Sequence, residues 1–272
     1  MTRPAVLTIA GSDPSGGAGI QADLKTFLAL GVHGTSAVTA LTVQSTVSVS
    51  QLHPVAAQVI KDQISAVCSD VQIAAAKTGM LCDERTVRAV SDSVSELSIP
   101  KLVVDPVLVA SSGDRLMDEN AIDVLVSELL PKALIITPNL KEAKVLSGTE
   151  VRTVEQMGEA AKRLHDMGAM NVVVTGGHLE GGEAIDVAFD GASLIEFPAK
   201  RIGGASIHGT GCTFSAAIVA HLATGEPVME AIAKAKSYVT GAIRGSYRMG
   251  KGTGALDHMW AKGPGTISGE GA

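Results

Sequence analysis

A glycine-rich segment at residues 206–215 carries the strongest chemical signal in the sequence. It reads SIHGTGCTFS and leads directly into an Ala-rich stretch with helical character. The first turn of a helix leaves about four backbone N–H groups without partners, and the helix dipole is positive there. Gly209 and Gly211, with Thr210 between them, would let an anion approach those groups closely. The segment therefore predicts a site for a phosphate or for a phosphoryl group in transfer, although an ordinary glycine turn before a helix is the simpler alternative.

Cys212 lies in the first turn of that predicted helix. A free thiol has a pKa of roughly 8.5, and a helix N-terminus can lower it. Cys212 is therefore a candidate base toward a substrate hydroxyl, or a candidate nucleophile. The alternative is a small buried apolar residue, which is the interpretation favoured for Cys68 inside an amphipathic helix. Cys82 fits either interpretation.

An Asp, an Asn and a Glu follow two other apolar segments. Asp105 comes after the segment 102–104, and Asn139 and Glu142 come after the segment 133–136. Carboxylates, water and phosphate oxygens are the ligands that Mg²⁺ prefers, so Asp105 and Glu142 are candidate ligands of a hydrated magnesium ion. Asn139 and Glu142 could equally be an N-cap and its capping-box partner.

Gln44 closes a further apolar segment and offers both a hydrogen-bond donor and an acceptor. That combination suits the edge of an amino-substituted heterocycle, and a turn-stabilising amide is the alternative. The loop at 11–19 also lies between a predicted strand and a predicted helix. It contains neither the G-x-G-x-x-G pattern of dinucleotide-binding loops nor a Walker A motif.

The elements that must position these residues alternate along the chain. Short apolar segments followed by stretches of helical period predict an α/β fold with a mostly parallel sheet covered on both faces. In such sheets ligands bind beyond the carboxyl ends of the strands, where the candidate residues lie. A hairpin is predicted around Asp190 and Gly191. The predicted strands cover 5–10, 35–43, 73–76, 102–104, 133–136, 171–174, 184–189 and 194–197. The predicted helices cover 20–30, a segment opening at Pro54, 83–97, 120–130, 153–167, 212–223 and 228–247.

Composition narrows the class of protein further. The chain has 272 residues, of which 46% are hydrophobic and 18% charged, so it can bury a large core and is not disordered. The net charge of −6 opposes binding to nucleic acid. No apolar run reaches the roughly 18 residues of a membrane span, and three unpaired-looking cysteines favour the cytoplasm. One domain is expected over 1–261, with a flexible Gly-rich tail at 262–272.

Five strings together carry a resemblance to a known family. The chain resembles the ribokinase-like superfamily and, within it, the hydroxymethylpyrimidine/phosphomethylpyrimidine kinases of thiamine biosynthesis. The resemblance covers about residues 3–260. The strings are LTIAGSDPSGGAGIQADLK at 7–25, KTGML at 77–81, TPNLKEA at 137–143, GGH at 176–178 and HGTGCT at 208–213.

The resemblance implies a three-layer α/β sandwich, with a mostly parallel central sheet flanked by helices. It also implies transfer of the γ-phosphate of ATP, with Mg²⁺, to the hydroxymethyl group of a pyrimidine and then to its monophosphate. A cytoplasmic homodimer is implied as well. The residues implied are an anion hole of Gly209, Thr210, Gly211 and Cys212, with Cys212 where sugar kinases have an Asp base; a pyrimidine pocket of Gln44, Gly11, Asp23 and Met80; and a nucleotide and Mg²⁺ side of Asp105, Asn139, Glu142, Thr175 and Gly177.

Two departures from the family pattern concern the nucleotide side. The family usually has Lys before the Gly-Gly-His string, where this chain has Thr175, and often a Lys in the loop that here contains Ser111. Lys77 or Lys141 could compensate for the missing charges. A pyridoxal kinase is the alternative within the superfamily, although its dual-specific members carry a second cysteine at the position of Ala110. A nucleotide-binding oxidoreductase and a non-catalytic binding module are the alternatives from other classes.

Overall fold

The computed structural model describes residues 3–109, 115–177, 179, 181–203 and 207–262. The Gly-rich tail predicted at 262–272 therefore lies outside the described residues, except for Lys262. Over these ranges the chain forms a nine-stranded sheet with helices on both faces. The strands are β1 (Ala5–Ser12), β2 (His33–Gln44), β3 (Val49–Pro54), β4 (Ile73–Thr78), β5 (Leu102–Val104), β6 (Ile135–Ile136), β7 (Val172–Val174), β8 (Glu183–Phe189) and β9 (Leu194–Lys200).

The sheet is parallel at its centre and antiparallel at both edges. Its strand order is β3-β2-β1-β4-β5-β6-β7-β8-β9. The pairs from β2 across to β7 are parallel, whereas β3 pairs antiparallel with β2, and β8 and β9 add an antiparallel hairpin at the other edge. The carboxyl ends of the parallel strands consequently meet along one edge of the sheet, which is where ligands bind in such folds.

Helices cover both faces, because the central strands are apolar on both sides. In β5, Leu102 and Val104 belong to one buried core while Val103 belongs to the other. The first core lies under α2 to α6, and the second lies under α1, α7 and α8. This confirms the three-layer architecture. The helices are α1 (Gly19–Ala29), α2 (Ala57–Asp70), α3 (Glu84–Glu96), α4 (Glu119–Val124), α5 (Leu140–Ser147), α6 (Val154–Asp166), α7 (Thr210–Ala223) and α8 (Val228–Arg244).

The segment at Pro54 differs from the sequence prediction. Pro54 ends strand β3 and does not open a helix, since α2 starts at Ala57. Proline has no N–H to donate, so within sheets it is tolerated on edge strands, and β3 is an edge strand. β3 reads VSQLHP and is largely exposed, so it lacks the apolar pattern that would have revealed it.

The helix predicted at 120–130 is shorter in the structure. α4 ends at Val124, and the chain continues through a π turn at Leu125–Leu129 and a 3-10 turn at Leu130–Lys132. Pro131 lies in that last turn, where it cannot donate the N–H that a continuing α-helix needs. The helix predicted to reach residue 247 likewise ends at Arg244.

Candidate active site

A cavity of about 630 Å³ opens at the carboxyl ends of the parallel strands. It collects residues from the loops after β1, β4, β5, β6 and β7 and from the start of α7. All but one of the site residues predicted from the sequence lie on its wall. They are Gly11, Gln44, Met80, Asp105, Asn139, Glu142, Thr175, Gly177, Gly209, Thr210, Gly211 and Cys212.

The N-terminus of α7 forms one part of the wall. Gly209 is the N-cap residue, with φ 83°, a left-handed conformation that favours glycine. A Cβ atom at Gly209 would lie 1.9 Å from the carbonyl oxygen of Gly17, so only glycine fits. A Cβ at Gly211, by contrast, would meet no atom within 4 Å. The first turn of α7 therefore lies on the cavity wall with open space beside Gly211.

The thiol of Cys212 lies where α1 and α7 begin. The backbone N–H of Gly19 donates to its sulfur. Burial raises the pKa of the Cys212 thiol to about 12, although the ammonium of Lys77 acts in the opposite direction. The lowered pKa that a helix N-terminus can produce is therefore not found at Cys212, because desolvation outweighs it.

A buried charge network lies beneath Cys212. Lys77 is fully buried, and its Nζ lies 3.1 Å from both carboxylate oxygens of Asp23 and 3.8 Å from Oδ2 of Asp105. Thr8 donates to Asp23 at 2.6 Å, and Ser215 donates to Asp105 at 2.9 Å. Burial alone would lower the pKa of Lys77, but the negative groups around it hold that pKa above its usual value. Lys77 therefore stays protonated, and its charge acts on the thiol of Cys212.

Asp23 is the predicted site residue that the structure does not place on the cavity wall. Its side chain is fully buried and bonded to Thr8 and Lys77. Because one buried lysine requires an opposite charge close to it, Asp23 serves the network and does not line the pyrimidine pocket. Lys77 is buried in the same network, so it does not replace the lysines that the family pattern has at the positions of Thr175 and Ser111.

Gly11 and Met80 form an apolar part of the wall. A Cβ at Gly11 would lie 2.2 Å from Cε of Met80, so glycine is needed for the methionine to lie flat against β1. Thr39 donates to the carbonyl of Met80 at 2.6 Å and fixes the backbone there. The resulting surface suits the face of a flat ring.

Gln44, His208 and Asp13 form a polar cluster next to that apolar surface. Nε2 of His208 lies 3.0 Å from Nε2 of Gln44 and 3.2 Å from Oδ2 of Asp13. Burial opposes charge on Asp13, but hydrogen bonds from His208, Ser15 and Ala18 hold the pKa of its carboxyl below the usual range. His208 and Asp13 had no role predicted from the sequence, although both lie within the segments that carry the family resemblance.

Asn139 and Glu142 are both capping residues and cavity residues. The side chain of Asn139 accepts from the backbone N–H of Lys141 and of Glu142, and Oε2 of Glu142 accepts from the N–H of Asn139 at 2.9 Å. The capping-box alternative is therefore confirmed, and both residues also line the cavity. Burial, with Asp105 nearby, raises the pKa of Glu142 to about 8.

The donor set around Glu142 fits a magnesium ion held mainly by substrate. Within the described ranges, no three His, Cys, Asp or Glu side chains converge as metal ligands. Mg²⁺ commonly uses one or two carboxylates together with water and phosphate oxygens. Asp105 and Glu142 supply two buried carboxylates, of which Asp105 disfavours the charge on Glu142, and a divalent cation held by them would relieve that repulsion.

Four cationic side chains also line the cavity: Lys141, Lys200, Arg201 and Lys236. Lys236 pairs with Asp186 at 2.8 Å. Arg201 donates to the backbone carbonyls of Gly177, Leu179, Gly181 and Glu183, so it joins β9 to the loop before β8. The sequence pointed to Lys141 but missed the others, whose signal was the adjacent pair Lys200-Arg201 after the hairpin. Ser111 lies outside the described residues.

Thr137 supplies an open hydrogen-bonding position on the cavity wall. Its hydroxyl is buried, lines the cavity and has no hydrogen-bond partner among the described residues. A buried polar group without a partner is costly, and a bound ligand can satisfy it. The position therefore suits a polar ligand atom.

Comparison with known proteins gives the family. The family model described as phosphomethylpyrimidine kinase matches residues 13–257. The chain is 47% identical, over 93% of its length and 96% of the relative's, to the hydroxymethylpyrimidine/phosphomethylpyrimidine kinase of Rhizobium meliloti. It is 48% identical, over 95% of its length, to the thiamine biosynthesis bifunctional protein ThiED of Geobacter sulfurreducens, and spans 53% of that longer protein.

Among solved structures, the ADP complex of Bacillus subtilis pyridoxal kinase is similar to this chain. The TM-score is 0.90 at 38% identity, covering 96% of this chain and 99% of the other. None of the described helices is both long enough and apolar enough to cross a membrane. The family match over residues 13–257, the two relatives and this fold agree with one another, and the chain belongs to the phosphomethylpyrimidine kinase family.

Proposed function

We propose that the protein transfers the γ-phosphate of ATP to the hydroxymethyl group of 4-amino-5-hydroxymethyl-2-methylpyrimidine, and then phosphorylates the monophosphate to the diphosphate. The observation that carries this proposal is the position of the α7 N-terminus. It lines the same cavity as the apolar surface at Met80 and the cationic side chain of Lys200. An acceptor hydroxyl and a triphosphate can therefore meet at the anion hole.

The α7 N-terminus supplies the electrostatic part of the reaction. The backbone N–H groups at Gly209 to Cys212, at the start of α7, would stabilise the charge that develops on the phosphoryl group. Because phosphoryl transfer needs mainly positioning and charge stabilisation, the protein has little covalent chemistry to perform. The glycines keep those donors accessible.

Cys212 takes the proton of the substrate hydroxyl. Only the thiolate can accept a proton, and since burial raises the pKa of the thiol to about 12, the thiolate is the minor form at neutral pH. The ammonium of Lys77 stabilises that form. As the hydroxyl oxygen bonds to phosphorus, its proton passes to the thiolate, which becomes a neutral thiol and later releases the proton to solvent. A small fraction of thiolate is sufficient because phosphoryl transfer depends mainly on positioning and charge stabilisation.

Asp105 and Glu142 are the residues that would hold magnesium, together with the phosphates of ATP. Bound there, the ion would neutralise charge on the β- and γ-phosphates. Asn139, Thr175 and Gly177 lie beside these carboxylates on the cavity wall and would contact the nucleotide. Lys200 and Lys141 would replace the positive charges that the family pattern places at Thr175 and near Ser111.

Pyridoxal phosphorylation is the second candidate, and the similarity to a pyridoxal kinase structure favours it. The two candidates are separated by ADP release from Mg·ATP with the aminopyrimidine, its monophosphate and pyridoxal as acceptors. We expect kcat/KM to be high for the first two and at least about tenfold lower for pyridoxal. Turnover of pyridoxal alone would favour pyridoxal phosphorylation over phosphorylation of the aminopyrimidine.

We also propose a cytoplasmic homodimer organised as one domain over 1–261. Support for this comes from the family resemblance and from the continuous sheet between β3 and β9. Sedimentation of the purified chain would measure the oligomeric state, and a monomer at micromolar concentration would contradict the dimer.

Replacing Cys212 by alanine is expected to lower kcat by about 100-fold or more, since positioned bases contribute roughly 10²–10⁴-fold. KM for the pyrimidine should change by less than about threefold, because Cys212 faces the hydroxyl and not the ring edge. Steady-state kinetics with the purified variant give both constants. Cys68→Ala, in α2 and away from the cavity, is the matched control. Wild-type kcat in Cys212→Ala would remove the thiol from the mechanism.

Replacing Gln44 by leucine is expected to raise KM for the aminopyrimidine by roughly 10- to 100-fold, because two hydrogen bonds to the ring edge are lost. KM for ATP should stay within about twofold, since the cationic surface is unchanged. Gln63→Leu, whose amide bonds the backbone of Val38 on β2, controls for the loss of a glutamine. Equal changes in the two KM values would argue against a ring-binding role.

A further inference from the structure

Nε2 of His208 has two neighbours that demand opposite roles from it, the amide nitrogen of Gln44 and the carboxylate of Asp13. Nε2 of His208 lies 3.0 Å from Nε2 of Gln44 and 3.2 Å from Oδ2 of Asp13. The amide nitrogen of Gln44 can only donate, and the carboxylate of Asp13 can only accept. A single imidazole nitrogen either donates or accepts, so it cannot satisfy both neighbours.

Asp13 decides which role His208 takes. Its carboxylate is buried and accepts backbone N–H groups of Ser15 at 2.8 Å, Gly17 at 3.1 Å and Ala18 at 2.8 Å. These bonds stabilise the ionised form. An unprotonated Nε2 would direct its lone pair at this anion, which is repulsive. Nε2 of His208 therefore carries a proton and donates it.

A protonated Nε2 requires the amide of Gln44 to present its oxygen. The oxygen and nitrogen of an amide exchange places by a 180° turn about the last side-chain bond. The hydroxyl of Thr42 favours the same rotation of the amide. It has one proton to donate but two acceptors near it, the carbonyl of Ser12 at 3.0 Å and Oε1 of Gln44 at 3.2 Å. After the turn, Thr42 donates to Ser12 and accepts from the amide nitrogen, and every group has a partner.

We propose that His208, held by Asp13, is a specificity-determining residue that fixes the amide of Gln44 with its oxygen toward His208 and its nitrogen toward Thr42. This deepens the proposed function and rests on it. Each amide atom keeps one hydrogen-bonding position for the ring: a lone pair on the oxygen and an N–H on the nitrogen. The pocket thus reads an acceptor and a donor in a defined order.

That order sets the direction in which an aminopyrimidine binds. Along the recognised edge of the substrate, the amine lies between a ring nitrogen and the carbon that bears the hydroxymethyl group. The amine donates to the amide oxygen, on the His208 side, and the ring nitrogen accepts from the amide N–H. The hydroxymethyl group then lies beyond the amine, toward His208 and the adjoining Gly209. The reverse order would direct it away from the anion hole.

The surroundings of His208 hold it in place. Its backbone N–H donates to the carbonyl of Gly254 at 3.1 Å, and its side chain is only 15% exposed. A Cβ at Gly17 would lie 2.9 Å from Cδ2 of the ring, so glycine lets the imidazole pack against the loop. A hydrogen-bond donor held in place by its surroundings, as Nε2 of His208 is here, can determine which ligand binds.

The test compares two acceptors that differ in the recognised edge. The 4-oxo analogue of the substrate presents a carbonyl and a ring N–H, which reverses the acceptor and donor order. For the wild-type protein we expect kcat/KM to favour the amino compound by about 100-fold or more, since unpaired buried polar groups oppose the wrong ligand. Comparable kcat/KM for the two acceptors would overturn the proposal.

Variants at His208 separate positioning from general structure. His208→Leu is expected to reduce that discrimination to about tenfold or less, mainly through KM, because the amide can then turn. His208→Gln keeps an N–H donor and should retain most of the discrimination. His33→Leu, an exposed histidine at the start of β2, is the matched control. Unchanged discrimination in His208→Leu would overturn the proposal.

A measurement on the wild-type protein keeps the test decisive if His208→Leu does not fold. In a ¹⁵N-histidine-labelled sample, with the signal assigned through His208→Gln, we expect the proton on Nε2 of His208. An unprotonated Nε2 would overturn the inference. Absence of turnover with the aminopyrimidine would instead overturn the proposed function, and the position of the His208 proton would still be measured.

Discussion

Replacing Gly209 by alanine is expected to lower kcat by about 100-fold or more. A Cβ there would lie 1.9 Å from the carbonyl oxygen of Gly17, at φ 83°, so the N-cap of α7 would have to move. α7 cannot follow as a rigid body, because most of its residues are buried in the core beneath α1 and α8. The backbone N–H groups of the proposed anion hole would no longer be positioned to bind the transferred phosphoryl group. Losing one such donor typically lowers kcat by roughly 10²–10³-fold.

Gly225→Ala is the matched control for that variant. Gly225 also has a positive φ, 95°, but a Cβ there would meet no atom within 4 Å, and it follows the opposite end of α7. It should lose stability of about 1 kcal/mol from backbone strain and keep its kcat. Steady-state kinetics and thermal unfolding of both variants make the comparison. Wild-type kcat in Gly209→Ala would show that the α7 N-terminus does not stabilise the transferred group.

Replacing Lys77 by methionine is expected to destabilise the protein by about 3–5 kcal/mol, because a buried ion pair would lose one partner. The carboxylates of Asp23 and Asp105 would remain buried without the ammonium between them. Adding Asp23→Asn to that variant should recover part of the loss, since it removes one of the uncompensated charges. Urea unfolding gives the free energy of unfolding for each variant.

An exposed ion pair controls for the loss of a lysine. Lys162 and Glu159 pair at 3.0 Å on the surface of α6, with side chains 43% and 67% exposed. Lys162→Met should change the free energy of unfolding by less than about 1 kcal/mol. A similarly small change in Lys77→Met would mean that the network beneath Cys212 contributes little to stability.

The helix start at Gly209 and the parallel sheet could be predicted from the sequence because their signals are local. β5 reads as three apolar residues in a row, which is typical of a strand buried on both faces. Gly209 marks the start of α7, where its backbone packs closely against the carbonyl of Gly17. The capping box of Asn139 and Glu142 also depends only on residues three apart.

Lys77 and Asp23 could not be assigned from the sequence because their roles depend on packing between distant elements. Parallel pairing of β1 and β4 places Thr8 opposite Lys77, and α1 brings Asp23 over both. Lys77, near the end of β4, suggested a cation for the nucleotide. The pairing of β4 with β1 and the packing of α1 over both strands bury it instead. Strand β3 escaped prediction because an exposed edge strand has no apolar pattern.

Phosphorylation of the aminopyrimidine can be followed by ³¹P NMR over time, with the isolated chain, the aminopyrimidine and Mg·ATP. We expect a pyrimidine monophosphate first and a diphosphate later, with one ADP formed for each phosphate transferred. ADP formed without phosphorylated pyrimidine, or no reaction while pyridoxal is phosphorylated under the same conditions, would contradict that expectation.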